Sequence, residues 1–472
     1  MMHSKMFSLL AVMLRITVGP ALPVFAATSG GNLSFTNTPL IRPDGNSEPE
    51  ISIAGNSTMA IVALGWLNFP TSLWTGPFGS TPTFQGLIDA ALQRAGKQVF
   101  GGEDADVDMG TTGALHASTL IALMNPTLKA AQFGVSAITC PNGATTFSTS
   151  NCVAQIIDFT QSDRQWITSD GTRVFISYHD SGNSELIHVQ RSDDDGFTWR
   201  RVGDPIVGQG TATAAATHNN EEGPIVADRF SHNVYDVYAA GETGILKAKT
   251  TDFDRIFVSR SSDGGQKWTA ALVFHAATPV GLNNVFPTLA VDPTNGKLYA
   301  AWSDGHTVSF SSSSDQGITW SAAVIVNVLP ATTAVFPWVA AYNGTVDLVY
   351  YGTTASSKDD PTAVWNTYVA QTTNDGASFQ QSLVSNTPNH VGVICTQGTA
   401  CGFGTRNLLD LFKVAIDPNS GRAAVIYTDD TITKDSSGSP LPQVVLAQQK
   451  QYLPATWATN CVYVLTEEWK QR

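Results

Sequence analysis

The sequence has 472 residues, of which 42% are hydrophobic and only 14% charged. That length provides ample apolar material for a large core, and 40 Gly and 23 Pro are typical of many short strands joined by turns. The net charge of −13 comes without any basic run. Nucleic acid is therefore excluded as the expected partner, because phosphate binding requires clustered Lys and Arg.

The N-terminus resembles an export signal. Lys5 supplies positive charge, an apolar stretch runs from Met6 to Phe25, and Val24-Phe25-Ala26 fits a small-residue cleavage site. The sequence therefore predicts a signal peptide over 1–26 and one mature domain over 27–472, in a secreted (extracellular or periplasmic) protein. The alternative is an uncleaved membrane anchor; no later segment contains 18 consecutive apolar residues.

A hairpin pattern then recurs along the chain: an apolar strand, a tight turn, and a second apolar strand. Its first core residues are Ile51, Val107, Ile167, Ile225, Leu289, Val339 and Val414, at steps of 56, 60, 58, 64, 50 and 75 residues. Several turns carry Asp-Gly, Asn-Gly or Ser-Gly, the strongest short-range hairpin signal. The copy at Val107 is faint. One segment, Gly86 to Gln98, has helical spacing instead and predicts a short helix.

A second motif, Ser-x-Asp-x-Gly-x-x-Trp, alternates with these hairpins. Copies run over Ser192–Trp199, Ser261–Trp268 and Ser313–Trp320, and a degraded one over Thr372–Phe379. The Asp accepts backbone N–H groups, Gly supplies positive φ, and the Trp folds back beneath the turn. Each unit of about 60 residues thus holds two hairpins, or four strands, which is the content of one propeller blade.

The sequence therefore predicts an all-β fold, a β-propeller of four-stranded blades. Seven blades are favoured, and six follow if the faint copy near Asp106 is an insertion. After the last inner hairpin only Val444-Val445-Leu446 offers another strand. We therefore expect the segment Leu33-Ser34-Phe35 to close the ring from the N-terminus. Such a fold is expected to be a monomer.

Five cysteines are present at 140, 152, 395, 401 and 461. Cys140/Cys152 and Cys395/Cys401 are close enough in sequence to close two small loops, which export permits. Cys461 is left over. No zinc spacing occurs, and no resident metal is predicted.

The Ser-x-Asp-x-Gly-x-x-Trp copies resemble the Asp-boxes, or BNR repeats, of the sialidase (neuraminidase) superfamily, and the resemblance covers nearly all of the mature chain. It implies hydrolysis of terminal α-linked sialic acid with retention, using three arginines on the sugar carboxylate, a Tyr nucleophile with a Glu, and an Asp acid/base. The chain departs from the family where the first arginine is expected in an Arg-Ile-Pro motif. The first blade here has Ser47-Glu48-Pro49-Glu50, so the arginine triad is not assignable.

In a propeller, ligands collect where the innermost strands begin. The sequence predicts acid/base candidates Glu48, Asp106 and Glu222 there, and substrate-binding candidates Arg164, Arg406, Trp166, Trp338 and Asp410. Carboxylates suit acid/base work, and aromatic rings suit sugar faces. Asp104, Asp106 and Asp108 alternate along one strand and form an alternative Ca²⁺ site.

Two hypotheses for function follow. The first is a sialidase-like glycoside hydrolase acting on terminal sugars of a glycan or glycoconjugate. The second is a non-catalytic extracellular propeller that binds glycan or protein; the absent Arg-Ile-Pro favours it, whereas the carboxylate-rich channel mouth favours an enzyme.

Overall fold

The structure is a computed structural model that describes residues 28–29, 33–66, 70–97, 99–125, 130–181, 186–206, 220–241, 253–276, 281–282, 284–402 and 404–451. The predicted signal peptide and Cys461 lie outside these residues. Within them the strands form seven sheets, each built around four antiparallel strands, which are consecutive in the chain in six of the sheets. The prediction of a seven-bladed β-propeller is therefore confirmed, and the faint copy at Val107 is a complete blade.

The strands are grouped as follows. The chain begins with β1 (Thr28–Ser29) and β2 (Phe35–Leu40). Blade 1 is β3 (Asn46–Ile53), β4 (Thr58–Gly65), β5 (Thr71–Pro77) and β6 (Thr83–Leu87). Blade 2 is β7 (Phe100–Met109), β8 (Leu115–Asn125), β9 (Ala130–Cys140) and β10 (Val153–Asp158). Blade 3 is β11 (Ser162–Asp170), β12 (Arg173–Asp180), β13 (Ile187–Ser192) and β14 (Arg200–Arg201).

Blade 4 is β15 (Asn220–Ala227), β16 (Val234–Ala240), β17 (Arg255–Ser261) and β18 (Thr269–His275). Blade 5 is β19 (Thr288–Val291), β20 (Leu298–Ser303), β21 (Val308–Ser313) and β22 (Val324–Ile325). Blade 6 is β23 (Thr333–Tyr342), β24 (Thr345–Thr353), β25 (Val364–Thr372) and β26 (Gln380–Leu383), with β27 (His390–Val391) on β25 and β1 parallel to β26. Blade 7 is β28 (Lys413–Ile416), β29 (Ala423–Lys434) and β30 (Pro440–Gln449), completed by β2.

The ring is closed by the N-terminal strand, as predicted. Strand β2 pairs antiparallel with β30, from Phe35 opposite Gln449 to Leu40 opposite Val444. Blades 7 and 1 also share one apolar cluster, in which Ile51 and Ile61 pack with Ile426 and Leu446. Contacts between neighbouring innermost strands continue around the whole circle, from β3 through β28 and back to β3.

The Ser-x-Asp-x-Gly-x-x-Trp segments, called Asp turns below, connect the third and fourth strands of blades 3 to 6. In the first, Asp194 Oδ1 accepts the Thr198 N–H at 2.8 Å, and the Trp199 indole N–H donates to the Gly196 carbonyl at 3.0 Å. Because strands alternate in direction, these turns lie at the end of the sheet opposite to the one where the innermost strands begin.

The helix prediction over Gly86 to Gln98 is only partly confirmed. Helix α1 covers Ala90–Arg94, whereas Gly86 and Leu87 belong to β6 and pair with Leu73 and Ser72. Edge pairing overrides the helical spacing there. Short 3₁₀ turns cover Thr149–Asn151 and Gly398–Ala400.

Both predicted small loops are closed by disulfides, Cys140–Cys152 and Cys395–Cys401. The first joins β9 to the loop before β10, and the second lies in the connection to blade 7. No helix among the described residues is long and apolar enough to cross a membrane.

Candidate active site

The innermost strands begin with an irregularity that is repeated around the ring. The register breaks between Ser47 and Glu50, Gly102 and Ala105, Asp163 and Gln165, Glu222 and Ile225, and Val335 and Trp338. Left-handed backbone accompanies several of these starts, at Glu48 (φ 50°), Arg164 (φ 39°), Val285 (φ 62°), Phe336 (φ 56°) and Leu409 (φ 55°). Bulges redirect side chains, and strained non-glycine backbone concentrates at functional sites. The strand starts therefore define the centre of the ring, which we call the hub.

Hub side chains fall into two layers when each blade is counted back from its first core residue. The lower layer, one position earlier, is Glu50, Asp106, Trp166, Pro224, Thr288, Trp338 and Lys413. The upper layer, three positions earlier, is Glu48, Asp104, Arg164, Glu222, Phe286, Phe336 and Leu411. Charged residues come from blades 7, 1, 2, 3 and 4 and aromatic residues mainly from blades 3, 5 and 6, so the hub has a charged side and an aromatic side.

A buried ion-pair network forms the lower layer. Lys413 Nζ lies 2.7 Å from Glu50 Oε2, also contacts Asp106 Oδ1, and sits 4.6 Å from the ring centre of Trp338. Asp106 further accepts the backbone N–H of Ile167 at 2.9 Å. Burial raises the pKa of Glu50 to about 7, although Lys413 acts in the opposite direction. This layer ties together strands from five blades and leaves little room for chemistry at Asp106.

Arg164 organises the upper layer. Its Nη1 lies 2.7 Å from Asp104 Oδ1 and 3.7 Å from Glu48 Oε1, and its Nη2 lies 3.8 Å from Glu50 Oε1. The guanidinium also faces the rings of Trp166 and Phe286, at 5.3 and 5.1 Å from their centres. Arg164 is buried, whereas the Asp104 side chain keeps 16% of its exposure. The layer therefore presents Asp104 to solvent while Arg164 holds it from below.

Blade 7 adds a second arginine at the rim. Arg406 Nε donates to Asp410 Oδ1 at 3.0 Å and its Nη2 contacts Asp410 Oδ2, with the Arg406 side chain 31% exposed. The Asp410 backbone N–H donates to Glu48 Oε1 at 3.1 Å. Burial raises the pKa of Glu48 well above its usual range, and the opposing charge of Arg164 does not cancel that effect. Asp410 thus positions both Arg406 and Glu48.

Asp163 is a hub carboxyl that was not among the site residues predicted from the sequence. It is exposed to solvent, yet many protein atoms surround it, and its Oδ1 accepts the Arg164 N–H at 2.9 Å. Desolvation and the neighbouring charge of Asp104 raise the pKa of Asp163 to about 6. The signal that could have located it is its place directly before Arg164, a charged pair at a strand start.

Glu222 lies in a separate buried pair. It and Asp236 are both fully buried, and the Ser177 hydroxyl faces both carboxyls. Burial raises the pKa of both acids well above the usual range. Neither acid forms an ion pair within the described residues. The charge of Asp163 adds to the effect on Glu222, so the pair lies near Asp163, but both of its acids are buried and neither lines the mouth of the hub.

The two tryptophans predicted to stack on sugar are buried: Trp166 is 1% exposed and Trp338 is 5% exposed. They lie against Arg164 and Lys413 instead. Phe286, which meets Trp166 edge-on at 5.1 Å, is the partly exposed ring of this set. Phe286 is therefore the ring of this set that can stack on a sugar at the hub.

The three aspartates considered for calcium do not share one partner. Asp104 binds Arg164, Asp106 binds Lys413, and Asp108 accepts the Ser169 hydroxyl at 2.5 Å. No group of three His, Cys, Asp or Glu side chains in the described part of the chain is arranged to hold a metal ion. The arrangement gives the calcium alternative no support.

The hub has an acidic excess. Its carboxyl groups are Glu48, Glu50, Asp104, Asp106, Asp163, Glu222 and Asp410, and its cations are Arg164, Arg406 and Lys413. Each of the three cations already contacts at least one carboxylate. Such a site disfavours an anionic ligand and is compatible with a neutral one.

Fold and hub together define a seven-bladed propeller with a charged and aromatic centre. No protein-family model matches the sequence, and no curated protein matches it. Among solved structures, the chain is similar to the Aleuria aurantia lectin in complex with alpha-methyl-L-fucoside, with 10% identity, 76% of this chain and 97% of that chain covered, and a TM-score of 0.43.

It is also similar to an alpha-L-arabinofuranosidase of Fusarium graminearum in complex with arabinobiose, with 12% identity, 89% and 98% of the two chains covered, and a TM-score of 0.42. A Trypanosoma rangeli sialidase gives 10% identity, 90% and 59% covered, and a TM-score of 0.40. Sialidases are thus among the structural neighbours.

Proposed function

We propose that this protein is an exported glycoside hydrolase that acts on a terminal neutral sugar of a glycan, at the mouth of the hub. The observation that carries this proposal is the contrast between two hub carboxyls, Asp163 and Asp104, which are near enough for the charge of Asp104 to raise the pKa of Asp163. The Asp163 carboxyl is on an exposed residue, but desolvation by the surrounding protein raises its pKa to about 6, and Asp104 is held by the Arg164 guanidinium at 2.7 Å. Two acids in contrasting environments are what acid/base hydrolysis of a glycoside requires.

In this proposal Asp163 is the general acid. Its raised pKa keeps it protonated in mildly acidic solution, so it can donate to the leaving-group oxygen. Asp104, facing solvent beside Arg164, supplies the carboxylate that stabilises developing positive charge on the sugar or orients water. Arg164 and Asp410 are positioning residues, since they hold Asp104 and Glu48 respectively.

A neutral sugar is favoured over sialic acid by the charge balance of the hub. Recognition of a sugar carboxylate needs guanidinium groups with unsatisfied donors. Arg164 and Arg406 are already paired with Asp104 and Asp410. The exo-α-sialidase activity implied by the sequence resemblance is therefore the less favoured form of this proposal. The partly exposed Phe286 ring offers an apolar surface for one sugar face.

The second candidate is a non-catalytic glycan-binding propeller. It is favoured by the burial of Glu48, Glu50 and Asp106, which hold the innermost strands together and do not reach solvent. Export, in either case, is supported by the two disulfides, because such bonds persist in oxidising compartments.

A substrate panel tests the proposal. Hydrolysis of neutral 4-nitrophenyl α- and β-glycosides, including arabinofuranosides and fucosides, is compared with hydrolysis of a 4-nitrophenyl sialoside. We expect turnover of at least one neutral glycoside, lost by about 10²–10⁴-fold in D163N and retained in D193N, which changes an exposed aspartate at an Asp turn. Sugar binding at the hub without any turnover would instead establish the second candidate.

A further inference from the structure

A cavity of about 320 Å³ opens between blades 5 and 6, on the face of the ring opposite to the one where the innermost strands begin. It surrounds the third Asp turn. Its lining consists of hydroxyl side chains, one indole and one ion pair: Lys297, Ser312, Ser313, Ser314, Thr319, Trp320, Ser321 and Asp375. We call this cavity the Trp320 groove.

The groove follows from a difference between blades in where the outermost strand begins. In blades 3 and 4 the outermost strand begins directly after the turn, at Arg200 and Thr269. In blade 5 the outermost strand β22 begins only at Val324, four residues after Trp320. Ser321 still bonds to the sheet edge, its N–H donating to the Ser312 carbonyl at 2.9 Å, but Ala322 and Ala323 form no ladder pair before β22, and the cavity lies beside this irregular segment and the indole.

The tryptophan itself also differs between blades. Trp268 is buried and donates its indole N–H to the Gly265 carbonyl at 2.9 Å. Trp320 is only partly buried, as is Trp199. The buried Nε1 of Trp320 has no hydrogen-bond partner in the described structure, whereas that of Trp199 donates to the Gly196 carbonyl at 3.0 Å. The ring of Trp320 is therefore available to a ligand in a way that the ring of Trp268 is not.

The polar wall of the groove carries no net charge. Lys297 Nζ lies 2.6 Å from Asp375 Oδ2, and the Tyr299 hydroxyl donates to Asp375 Oδ1 at 2.9 Å. Both members of the ion pair are substantially exposed, at 36% and 45% of their side-chain surfaces. An anion gains nothing from a lysine already neutralised in this way, whereas a sugar hydroxyl can donate to Asp375 and accept from Lys297.

We propose that the Trp320 groove is a second glycan-binding site, which holds one neutral sugar unit against the indole, with its hydroxyls bonded to Asp375, Lys297 and the serines. The cavity volume is at the lower end of the range for small-ligand sites. Aromatic rings with a polar rim are suited to amphipathic ligands of this kind. This site lies on the opposite face from Asp163 and does not depend on hydrolysis there.

The test is a ¹⁹F NMR titration of protein labelled with 5-fluorotryptophan, in the D163N background so that hydrolysis at the hub is strongly reduced. W320F identifies the Trp320 resonance, and Phe379 at the same position of blade 6 shows that the turn accommodates phenylalanine. W199F identifies the Trp199 resonance, which is the matched control because a strand begins directly after Trp199. The probes are lactose, maltose and cellobiose, with N-acetylneuraminic acid and galacturonic acid as anionic comparisons.

We expect a saturable shift of the Trp320 resonance with at least one neutral disaccharide, an unmoved Trp199 resonance, and weaker responses to both acids. D375N should weaken that binding by about tenfold, the effect of losing one charged hydrogen-bond partner. No saturable Trp320 shift with any of the three neutral sugars, or equal shifts of Trp199 and Trp320, would overturn the proposal. Because the titration uses a hydrolysis-deficient variant, its result is separate from the outcome of the substrate panel.

Discussion

Lys413 and Asp106 are 307 residues apart in sequence and form an ion pair at the centre of the ring. Lys413 begins the innermost strand of blade 7, and Asp106 lies in the innermost strand of blade 2. With Glu50 of blade 1 between them, the pair spans the place where the ring closes. The same three residues form the floor beneath the proposed site, so closure of the fold and shape of the site depend on one network.

The first prediction concerns that network. K413M should destabilise the protein by about 3–5 kcal/mol, because it leaves Glu50 and Asp106 buried without their cation. Denaturant unfolding of wild type and variant measures the change. In the matched control, R173M removes an ion pair with Asp193 whose side chains are about half exposed, and the expected cost is below about 1 kcal/mol. Equal losses of unfolding free energy in the two variants would show that the hub network does not hold the blades together.

The second prediction concerns the buried acids Glu222 and Asp236. Burial raises their pKa values in the folded state above the value near 4 expected for an unfolded chain. Between those two values the folded protein binds more protons than the unfolded chain, so the acids lower stability as the pH rises. Their contribution is absent below the unfolded pKa and grows through the mildly acidic range.

E222Q removes one of these titrations and should flatten the decline of unfolding free energy with rising pH. Measurements at several pH values between about 4 and 8 test this, with D263N as the control. Asp263 is exposed at an Asp turn, where hydrogen bonds from Lys267 and Ser261 outweigh desolvation and lower its pKa. D263N should therefore not flatten the decline. If the decline of unfolding free energy with pH is the same in E222Q as in the wild type, groups other than Glu222 cause it.

The third prediction concerns the Asp turns. Gly196 has φ +86°, and a Cβ there would come within 2.1 Å of Thr139 Oγ1 in blade 2. Gly171 also has positive φ, but an added Cβ would meet nothing within 4 Å. G171A should cost roughly 1–2 kcal/mol for the left-handed backbone alone, and G196A should cost clearly more. Thermal unfolding distinguishes them, and similar losses would mean that packing of the turn against blade 2 contributes little.

The fourth prediction concerns the pH dependence of catalysis. If Asp163 donates a proton, kcat/KM should fall as the pH rises above about 6, since its pKa lies there. D104N removes a negative charge that helps to raise the pKa of Asp163. In that variant the residual activity should decline at lower pH than in the wild type. If the basic limb of the pH profile does not move in D104N, a group other than Asp163 transfers the proton.

Much of the fold was predictable because the core spacing survives where the turn motif is lost. Val107 keeps its distance from Ile51 and Ile167 although blade 2 has no Asp turn. Closure of the ring by Leu33 to Phe35 was predictable because the sequence offers only one strand after the last inner hairpin, so the blade needs another strand from elsewhere in the chain. The helix near Gly86 was misplaced because spacing alone does not show that a segment will pair with an edge such as β5.

The site was less predictable, because local sequence does not show which charges meet across the ring. Glu48, Arg164 and Asp410 were found from their positions at strand starts, and they do converge. Lys413 was missed because its partners are distant in sequence. Asp163 was missed because its one signal, the place directly before Arg164, does not show that Arg164 adopts a left-handed conformation.

The most direct test of the account is a crystal structure of D163N soaked with the neutral glycoside that the wild type hydrolyses best. We predict the terminal sugar at the hub, with one face on Phe286 and the glycosidic oxygen within roughly 3 Å of the side chain at position 163. Sugar bound away from the hub, or with its glycosidic bond beyond reach of positions 104 and 163, would contradict the proposed active site.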